Sequence, residues 1–250
     1  MSHTIAQLLK NATQSIDRFD AEILLAHVLK KPREFIIAHP EYLVTKIQNW
    51  KMNRLIRLRR QGIPYAHLTG RKGFYGFDFV INKHTLVPRP ETELLVELVI
   101  NSLIHIEKST EKITLIDIGT GSGCIPISIL KSSAYSFTQS FAIDISKKAL
   151  AVAKKNSKKH HTNITFLHGN LLEPLFKKNT FLDHHSNILL TANLPYLTQA
   201  QFDTEPTIQH EPIGALVAED NGLKLYKELL DQINKLRANH SGNIIIFFEI

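Results

Sequence analysis

The feature that most constrains the fold is an alternation of short apolar runs with helical stretches from residue 113 onward. The runs that predict strands cover 113–118, 140–145, 164–167, 188–192 and 243–250. The stretches that predict helices cover 124–130, 146–159 and 222–236. Strands that alternate with helices form a mostly parallel sheet with helices on both faces. The sequence therefore predicts an α/β domain.

The first seventy or so residues have a different pattern, which is helical throughout. Ile5, Leu8 and Leu9 recur at helical spacing, and a second apolar face follows Asp20. A basic helix is predicted from Trp50 to Arg60. Its arginines form either a solvated face with buried stems or a surface that faces phosphates or an acidic partner.

Turn residues and an aromatic stretch separate the two regions. Gly62-Ile63-Pro64 ends the basic helix, and the segment from Phe74 to Ile81 predicts a strand or a tight hairpin. A cap at or beside Thr92 begins a helix that runs from Leu94 to about Ile106. The predicted domains are an N-terminal helical domain (1–72), a hairpin linker (73–90) and the α/β domain (91–250).

Composition narrows the class of protein. The 250 residues include one cysteine, Cys124, which excludes an internal disulfide framework and fits a reducing compartment. No apolar run approaches the length of a membrane span and the start lacks a signal-peptide core, so we expect a cytoplasmic protein. The net charge of +7 reflects either an acidic partner or simple solubility. The histidines lack metal-ligand spacing, so we predict no metal site.

The strand at 113–118 runs into a glycine-rich loop. Glycines there allow a sharp turn and a close backbone approach to a ligand at the next helix N-terminus. A nicotinamide fingerprint needs Gly-x-Gly-x-x-Gly or Ala, whereas this loop has Gly-x-Gly-x-Gly after an acid. That spacing favours S-adenosylmethionine. The predicted cofactor residues of the loop are Asp117, Gly119, Thr120, Gly121, Ser122 and Gly123.

Two later positions extend the predicted cofactor site. Asp144 ends the second strand about 20 residues beyond the glycines, where an acid can accept hydrogen bonds from the ribose hydroxyls. It can equally serve as the N-cap of the helix that begins at Lys147. After the third strand, Asn170 and Leu171 lie where the adenine edge can be met, although this is also an ordinary loop position.

Asn193-Leu194-Pro195-Tyr196 follows the strand at 188–192. It therefore lies at the carboxyl edge of the sheet, where α/β proteins bind ligands. Asn193 carries both a donor and an acceptor, Pro195 fixes the turn, and Tyr196 adds a flat apolar face. Such a group can hold a planar substrate that carries an NH2. The alternative is a strand-ending turn with a core tyrosine.

These motifs together resemble the release-factor glutamine N5-methyltransferases, the HemK or PrmC family. The tetrapeptide at 193–196 matches the family's Asn-Pro-Pro-Tyr, and residues 117–123 match its cofactor loop. The other matching segments are Pro64-Tyr65 with Gly70, Leu86-Val87-Pro88-Arg89-Pro90-Glu91-Thr92-Glu93, and Glu211-Pro212 with Ala215-Leu216. The resemblance covers nearly the whole chain, and the Pro-Arg-Pro-Glu-Thr-Glu part is its most specific segment.

The resemblance implies a Rossmann-like class I S-adenosylmethionine methyltransferase domain, preceded in sequence by a small helical substrate-recognition domain. The implied substrate is the glutamine of the Gly-Gly-Gln (GGQ) motif in class I peptide chain release factors, which act in translation termination. Methyl transfer to its side-chain amide nitrogen would use Asn193, Leu194, Pro195 and Tyr196, and Asn193 would also border the cofactor. The Asn193 side-chain oxygen and the Leu194 carbonyl would accept the amide hydrogens, and Tyr196 would pack on the amide plane.

Two departures from the family pattern bear on these expectations. Leu194 stands where the family usually has proline, which keeps the backbone carbonyl but predicts a less rigid turn. The sequence ends at Ile250 inside a predicted strand, whereas the family continues into a terminal hairpin, so we expect that hairpin to be missing here. Glu91 or Glu93 could assist the reaction, or serve only for capping and interdomain bonding.

Other functions stay open at this point. An adenine-N6 methyltransferase acting on DNA or RNA would use the same tetrapeptide on a flipped base. A glutamine methyltransferase acting on a ribosomal protein would share the whole site. A binding protein without catalysis would fit the altered tetrapeptide. For the favoured reading we expect a monomer that forms no stable nucleic-acid complex and does not associate with membranes.

Overall fold

The computed structural model describes residues 3–105, 112–177, 182–183 and 185–250. The chain divides into two compact units. The first unit comprises Met1–Gly70 together with the short segment Pro206–His210. The second unit comprises Arg71–Glu205 and Glu211–Ile250. None of the helices in the described part of the chain combines the length and the apolar character needed to cross a membrane.

The first unit is a helical domain with one short antiparallel strand pair. Its elements are β1 (His3–Thr4), α1 (Ile5–Ala12), α2 (Arg18–Leu29), α3 (Arg33–Ala38), β2 (Leu43–Val44), α4 (Lys46–Arg60) and α5 (Tyr65–Thr69). Apolar residues of α1, α2 and α3 form its core with Val44 and Met52. The prediction of a helical N-terminal region is confirmed.

The basic helix α4 begins four residues before the predicted Trp50. Thr45 and Gln48 form a capping box there, in which each side chain accepts a hydrogen bond from the other residue's backbone N–H. One of its arginines has an internal partner, because Arg59 Nε lies 2.5 Å from Oδ2 of the buried Asp20. Arg59 therefore stabilises the fold of the first unit, whereas Arg54, Arg57 and Arg60 are exposed.

The second unit begins with an antiparallel hairpin and continues as an α/β domain. The hairpin is β3 (Arg71–Phe74) and β4 (Phe77–Val80), and α6 (Thr92–His105) follows. The remaining strands and helices are β5 (Ile113–Ile118), α7 (Cys124–Ser132), β6 (Gln139–Asp144), α8 (Lys147–His160), β7 (Thr165–His168), β8 (Asn187–Asn193), α9 (Gln199–Thr204), α10 (Lys224–Arg237) and β9 (Ile244–Glu249). The predicted end of α6 near Ile106 lies outside the described residues.

The five strands β5 to β9 form one parallel sheet in the order β7-β6-β5-β8-β9. Every residue of β5 is buried, as expected for a central strand covered on both faces. Apolar side chains of the strands pack with α10 residues such as Leu229 and Ile233. The predicted α/β architecture with a parallel sheet is therefore confirmed.

Helix α10 begins at Lys224 and not at the predicted Gly222. Asp220, Asn221 and Gly222 all have positive φ angles, of 56°, 53° and 85°. A helix cannot run through residues in this left-handed region. The three residues therefore form a turn, and the helix starts after it.

Candidate functional site

The candidate site lies where the order of the strands in the sheet reverses, between β5 and β8. The chain leaves β5 toward β6 on one side, whereas β8 pairs with β5 on the other side. Ligands of open α/β sheets bind at such a switch point, beyond the carboxyl ends of the strands. The glycine-rich loop follows β5 and the tetrapeptide follows β8, so the topology brings the two sequence motifs together.

The two motifs are in close contact through Gly119. In the parallel register Ile118 is paired with Ala192, so the next residues, Gly119 and Asn193, leave the sheet side by side. A Cβ atom on Gly119 would lie 3.0 Å from Leu194 Cδ2 and 3.7 Å from the Asn193 carbonyl oxygen. Because Gly119 also has a φ of +70°, a larger residue there would be both strained and crowded.

The other two glycines of the loop have different surroundings. A Cβ atom on Gly121 would meet only the Gly119 carbonyl, at 3.9 Å, so its outer side is open. A Cβ atom on Gly123 would lie 3.2 Å from both Ala153 Cβ and Ile127 Cδ1. Gly123 therefore permits α7 and α8 to pack closely, while the backbone around Gly121 is open to a ligand. The hydroxyl-bearing neighbours Thr120 and Ser122 are both buried.

Asp144 holds the glycine-rich loop from the end of β6. Its Oδ2 accepts a hydrogen bond from the Gly121 N–H at 2.8 Å, and its Oδ1 accepts one from the Ser146 N–H at 2.8 Å. Burial raises the pKa of this carboxyl, and the bonds from Ser146 and Gly121 oppose the rise. The N-cap of α8 is Ser146, so the capping interpretation of Asp144 is wrong. A carboxylate has about four acceptor positions, so about two stay available to a ligand.

The segment after β7 lies beside Asp144. The Gly169 N–H donates to the Asp144 carbonyl at 3.2 Å, which places Gly169, the residue before Asn170, beside the end of β6. Leu171 has a φ of +47° and its side chain is buried in the core. Leu171 can therefore offer a ligand only its backbone. Ile145, which the sequence did not single out, is 68% exposed directly after Asp144 and can cover an apolar ring.

Asp117 lies beneath the loop and is completely buried. The Thr191 hydroxyl donates to Asp117 Oδ1 at 2.6 Å, which connects β5 to β8 under the site. Burial raises the pKa of Asp117 to about 7, against the lowering effect of the bond from Thr191. With no exposed surface of its own, Asp117 supports the loop from below.

The Asn193 side chain is held by two residues from distant parts of the chain. Its Nδ2 donates to Thr92 Oγ1 at 3.2 Å, and Thr92 Oγ1 donates to Glu249 Oε1 at 3.0 Å. Thr92 begins α6, and Glu249 is paired with Asn193 across β8 and β9. The sequence suggested Thr92 only as a cap, and Glu249 was not identified. Glu249 could have been identified from the sequence by pairing the end of the last predicted strand with the end of the strand that carries Asn193.

The rest of the tetrapeptide is anchored by α10 and the turn before it. The Leu194 N–H donates to the Tyr226 hydroxyl at 3.1 Å, and a proline at this position would have no N–H to offer. The single hydrogen of the Tyr226 hydroxyl can go either to the Leu194 carbonyl oxygen, at 3.2 Å, or to the backbone oxygen of Glu249. A carbonyl oxygen has two lone pairs, so that of Leu194 keeps at least one for a further donor.

The end of the tetrapeptide is partly exposed and lies against a glycine. Pro195 is half-buried, and the Tyr196 side chain is 39% exposed, so it is not a core tyrosine. A Cβ atom on Gly222 would lie 2.0 Å from the Tyr196 carbonyl oxygen. Only glycine fits this close backbone approach, which fixes the position of the turn.

The segment that carries Thr92 is held in place by the buried Glu211 and the half-buried Glu93. Glu211, whose side chain is 1% exposed, accepts hydrogen bonds from the Val87 N–H at 2.8 Å and from Arg89 Nη2 at 2.5 Å. Glu93 Oε1 accepts a hydrogen bond from the Tyr75 N–H at 2.8 Å in the hairpin turn. Glu93 therefore has the structural role that the sequence left open.

Asn156 connects the same hairpin to the glycine-rich loop. Its side chain is fully buried, accepts from the Val80 N–H at 2.7 Å, and donates to the Val80 and Ser122 carbonyls at 3.0 and 2.9 Å. One amide thus joins β4 to the loop. The regions on either side of the site are fixed by buried polar contacts between segments far apart in sequence.

Two known protein families match this chain, one in its N-terminal part and one in its α/β part. The PrmC N-terminal domain family matches residues 2–70, and a methyltransferase domain family matches residues 109–240. Among solved structures, the hMettl16 catalytic domain in complex with MAT2A 3'UTR hairpin 6 aligns with a TM-score of 0.50 and 16% identity. That alignment covers 85% of this chain and 74% of the other chain, and it supports the fold alone.

Curated relatives match nearly the full length of this chain. The release factor glutamine methyltransferase of Bacillus anthracis is 32% identical over 94% of this chain and 80% of its own length. The protein of the same name from Bacillus subtilis (strain 168) is 30% identical over 92% and 77%. That of Mycoplasma mycoides subsp. mycoides SC is 32% identical over 98% and 85%. With these relatives and the geometry above, the chain belongs to the release factor glutamine methyltransferase family.

Proposed function

We propose that this chain transfers a methyl group from S-adenosylmethionine to the side-chain amide nitrogen of the GGQ glutamine in class I peptide chain release factors. The observation that carries the proposal is the contact between the glycine-rich loop and the tetrapeptide, with the Asn193 amide held at that junction. The names of the curated relatives support release factor glutamine as the substrate.

The cofactor assignment is supported by the chemistry of the loop and its neighbours. S-adenosylmethionine supplies an electrophilic methyl group on a positively charged sulfur. The backbone of 119–123 would hold it, with Asp117 beneath the loop and the free acceptor positions of Asp144 toward the ribose. Asn170 and the Leu171 backbone would meet the adenine edge, and Ile145 would cover its face. Asn193 would border the cofactor on the substrate side.

The substrate chemistry explains why the site is built for positioning. The lone pair of an amide nitrogen is delocalised into the carbonyl, so this nitrogen is a weak nucleophile. The Asn193 Oδ1 and the Leu194 carbonyl would accept its two hydrogens and thereby aim the nitrogen at the methyl group. Tyr196 would cover the amide plane, and Pro195 would keep the turn in place. Positioning of this kind can contribute about 7–11 kcal/mol to lowering a barrier.

The first unit is the proposed recognition domain for the release factor. Within it, Leu43, Ile47 and Trp50 are large apolar side chains that are exposed near the start of α4. Arg54, Arg57 and Arg60 are exposed on the same helix. Aromatic and arginine side chains are enriched at protein interfaces, which favours a protein partner for this surface.

The deciding experiment measures transfer of labelled methyl from S-adenosylmethionine to a purified class I release factor. The matched control is the same factor with the GGQ glutamine replaced by alanine. We expect label on the unmodified factor and none on the control. Label on a ribosomal protein, or on DNA or RNA adenine, with none on the release factor, would contradict the proposal and support one of the alternative substrates.

A further inference from the structure

A chain of side-chain hydrogen bonds runs behind the tetrapeptide. Asn193 Nδ2 donates to Thr92 Oγ1 at 3.2 Å, and Thr92 Oγ1 donates to Glu249 Oε1 at 3.0 Å. The three residues come from the end of β8, the start of α6 and the end of β9. We propose, on the basis of the function above, that Thr92 and Glu249 are positioning residues that hold the Asn193 amide with its oxygen toward the substrate.

The orientation of an asparagine amide group must be selected by its hydrogen-bond partners, because its oxygen and NH2 ends have almost the same shape. A half-turn about the last bond exchanges the oxygen, which accepts hydrogen bonds, with the NH2, which donates them. The substrate nitrogen carries two hydrogens, so only the oxygen of Asn193 can bind it. In the reversed orientation, two NH2 groups would face each other. The reaction therefore requires a device that selects one orientation.

The direction of the hydrogen bonds supplies that device. An ionised carboxylate can only accept, so the single hydroxyl hydrogen of Thr92 goes to Glu249. The Thr92 oxygen is then left as an acceptor and can bind only the NH2 end of Asn193. With the NH2 end turned inward, Oδ1 is the end that faces away from Thr92. The negative charge of Glu249 thus determines which atom Asn193 presents, both through the Thr92 hydroxyl and through its own attraction for the Asn193 NH2.

Burial makes this selection effective. Thr92 is 3% exposed, so water has little access to replace either of its hydrogen bonds. Burial raises the pKa of Glu249, and the hydrogen bonds from Thr92 and from the Asn193 side chain oppose the rise. The charged neighbour Glu91 raises it further, and the Tyr226 hydroxyl binds the Glu249 backbone oxygen. Protonation of Glu249 at low pH would remove the requirement that Thr92 donate to it.

The test compares three single variants and one double variant of the full chain in methyl transfer. Thr92→Val keeps the shape and removes the hydroxyl, Thr92→Ser keeps the hydroxyl, and Glu249→Gln removes the charge. We expect kcat to fall about tenfold in T92V, with the S-adenosylmethionine Kd within about twofold of wild type. T92S should recover most of kcat. The double variant T92V/E249Q should lose less than the sum of the losses in T92V and E249Q, because Thr92 and Glu249 orient the same amide.

A matched control separates positioning from mere stability. Thr85 is another buried threonine, and its hydroxyl donates to the Asn82 carbonyl at 3.2 Å, away from the relay. T85V should lower the thermal midpoint as T92V does but leave kcat unchanged. Equal kcat in T92V and wild type, or equal loss in T92V and T92S, would overturn the proposal.

A second readout does not depend on turnover. The side-chain NH2 signals of Asn193 in an NMR spectrum can be identified by their absence in Asn193→Ala. In the wild type these signals should shift as Glu249 titrates, and the shift should disappear in E249Q and become smaller in T92V. A shift of the wild-type size in T92V would overturn the relay. If wild type fails to label any release factor, the proposed function fails, and this NMR experiment still decides whether the relay exists.

Discussion

The glycine-rich loop and the tetrapeptide lie against each other at one edge of the sheet, but they are held in different ways. The loop takes its shape from positive φ angles and from Asp144, which is only 23 residues from Gly121 in sequence. The tetrapeptide is held by Thr92, which is 101 residues from Asn193, and by Tyr226, 32 residues from Leu194. The cofactor side thus combines the nearer contact of Asp144 with distant ones, such as that between Asn156 and Ser122, whereas the substrate side depends on remote side chains alone.

This difference predicts different responses to substitution. Changes in the loop should act on cofactor affinity, because its backbone would contact the cofactor directly. Changes behind the tetrapeptide should act on turnover or on folding, because those residues hold the turn and its amide. The following predictions test this division, in order of decreasing expected effect.

The largest effect is expected for Asn193→Ala, which removes the acceptor for the substrate amide. Loss of one positioned hydrogen-bonding group in a transition state costs on the order of a hundredfold in kcat. The measurement is steady-state methyl transfer together with a cofactor titration, in which the Kd should change by less than about twofold. Asn163→Ala, an exposed asparagine after α8, serves as the control. Turnover equal to that of the control would remove Asn193 from the mechanism.

The second prediction concerns Gly222→Ala, whose added Cβ would lie 2.0 Å from the Tyr196 carbonyl oxygen. We expect urea unfolding to show a loss of about 3 kcal/mol, together with a fall in turnover as the tetrapeptide shifts. Gly76→Ala is the matched control, since Gly76 has a φ of +75° but nothing within 4 Å of its Cβ position. Its cost should be only about 1 kcal/mol of backbone strain. Similar losses in the two variants would show that the close approach is unimportant.

The third prediction tests the loop through Asp144→Ala. The Gly121 N–H loses its acceptor and the ribose loses a binding group, so the cofactor Kd should rise about tenfold, which is about 1.4 kcal/mol. Isothermal titration calorimetry measures this directly. Asp144→Asn keeps one acceptor oxygen and should have a smaller effect. An unchanged Kd in D144A would refute the ribose role.

The last prediction, whose effect is the smallest for any one pH unit, is a pH dependence that comes from Asp117. Its pKa is raised from 3.8 to about 7 in the folded protein, so between these values the folded state binds more protons than the unfolded state. The free energy of unfolding should therefore fall as pH rises through this window, by about 1 kcal/mol per pH unit, relative to Asp117→Asn. The variant keeps an acceptor for Thr191. Parallel stability curves for the two proteins would contradict the assignment.

Much of the α/β domain could be predicted because its signals are local. The apolar run at 113–118 coincides with β5, and the glycine spacing correctly indicated a loop at the end of this strand. The errors fall where local pattern competes with backbone geometry. α4 starts early because of a capping box at Thr45, and α10 starts late because of the left-handed turn at 220–222.

By itself, the sequence determined the parallel α/β architecture, the helical N-terminal region, the family and the two motifs that meet at the candidate site. These follow from periodicity, glycine spacing and short motifs, each of which lies within a few residues. Only the tertiary structure decided which atoms hold Asn193. Strand register places Glu249 opposite Asn193, the packing of α6 brings in Thr92, and the direction of a hydrogen bond depends on partners that no local pattern can specify.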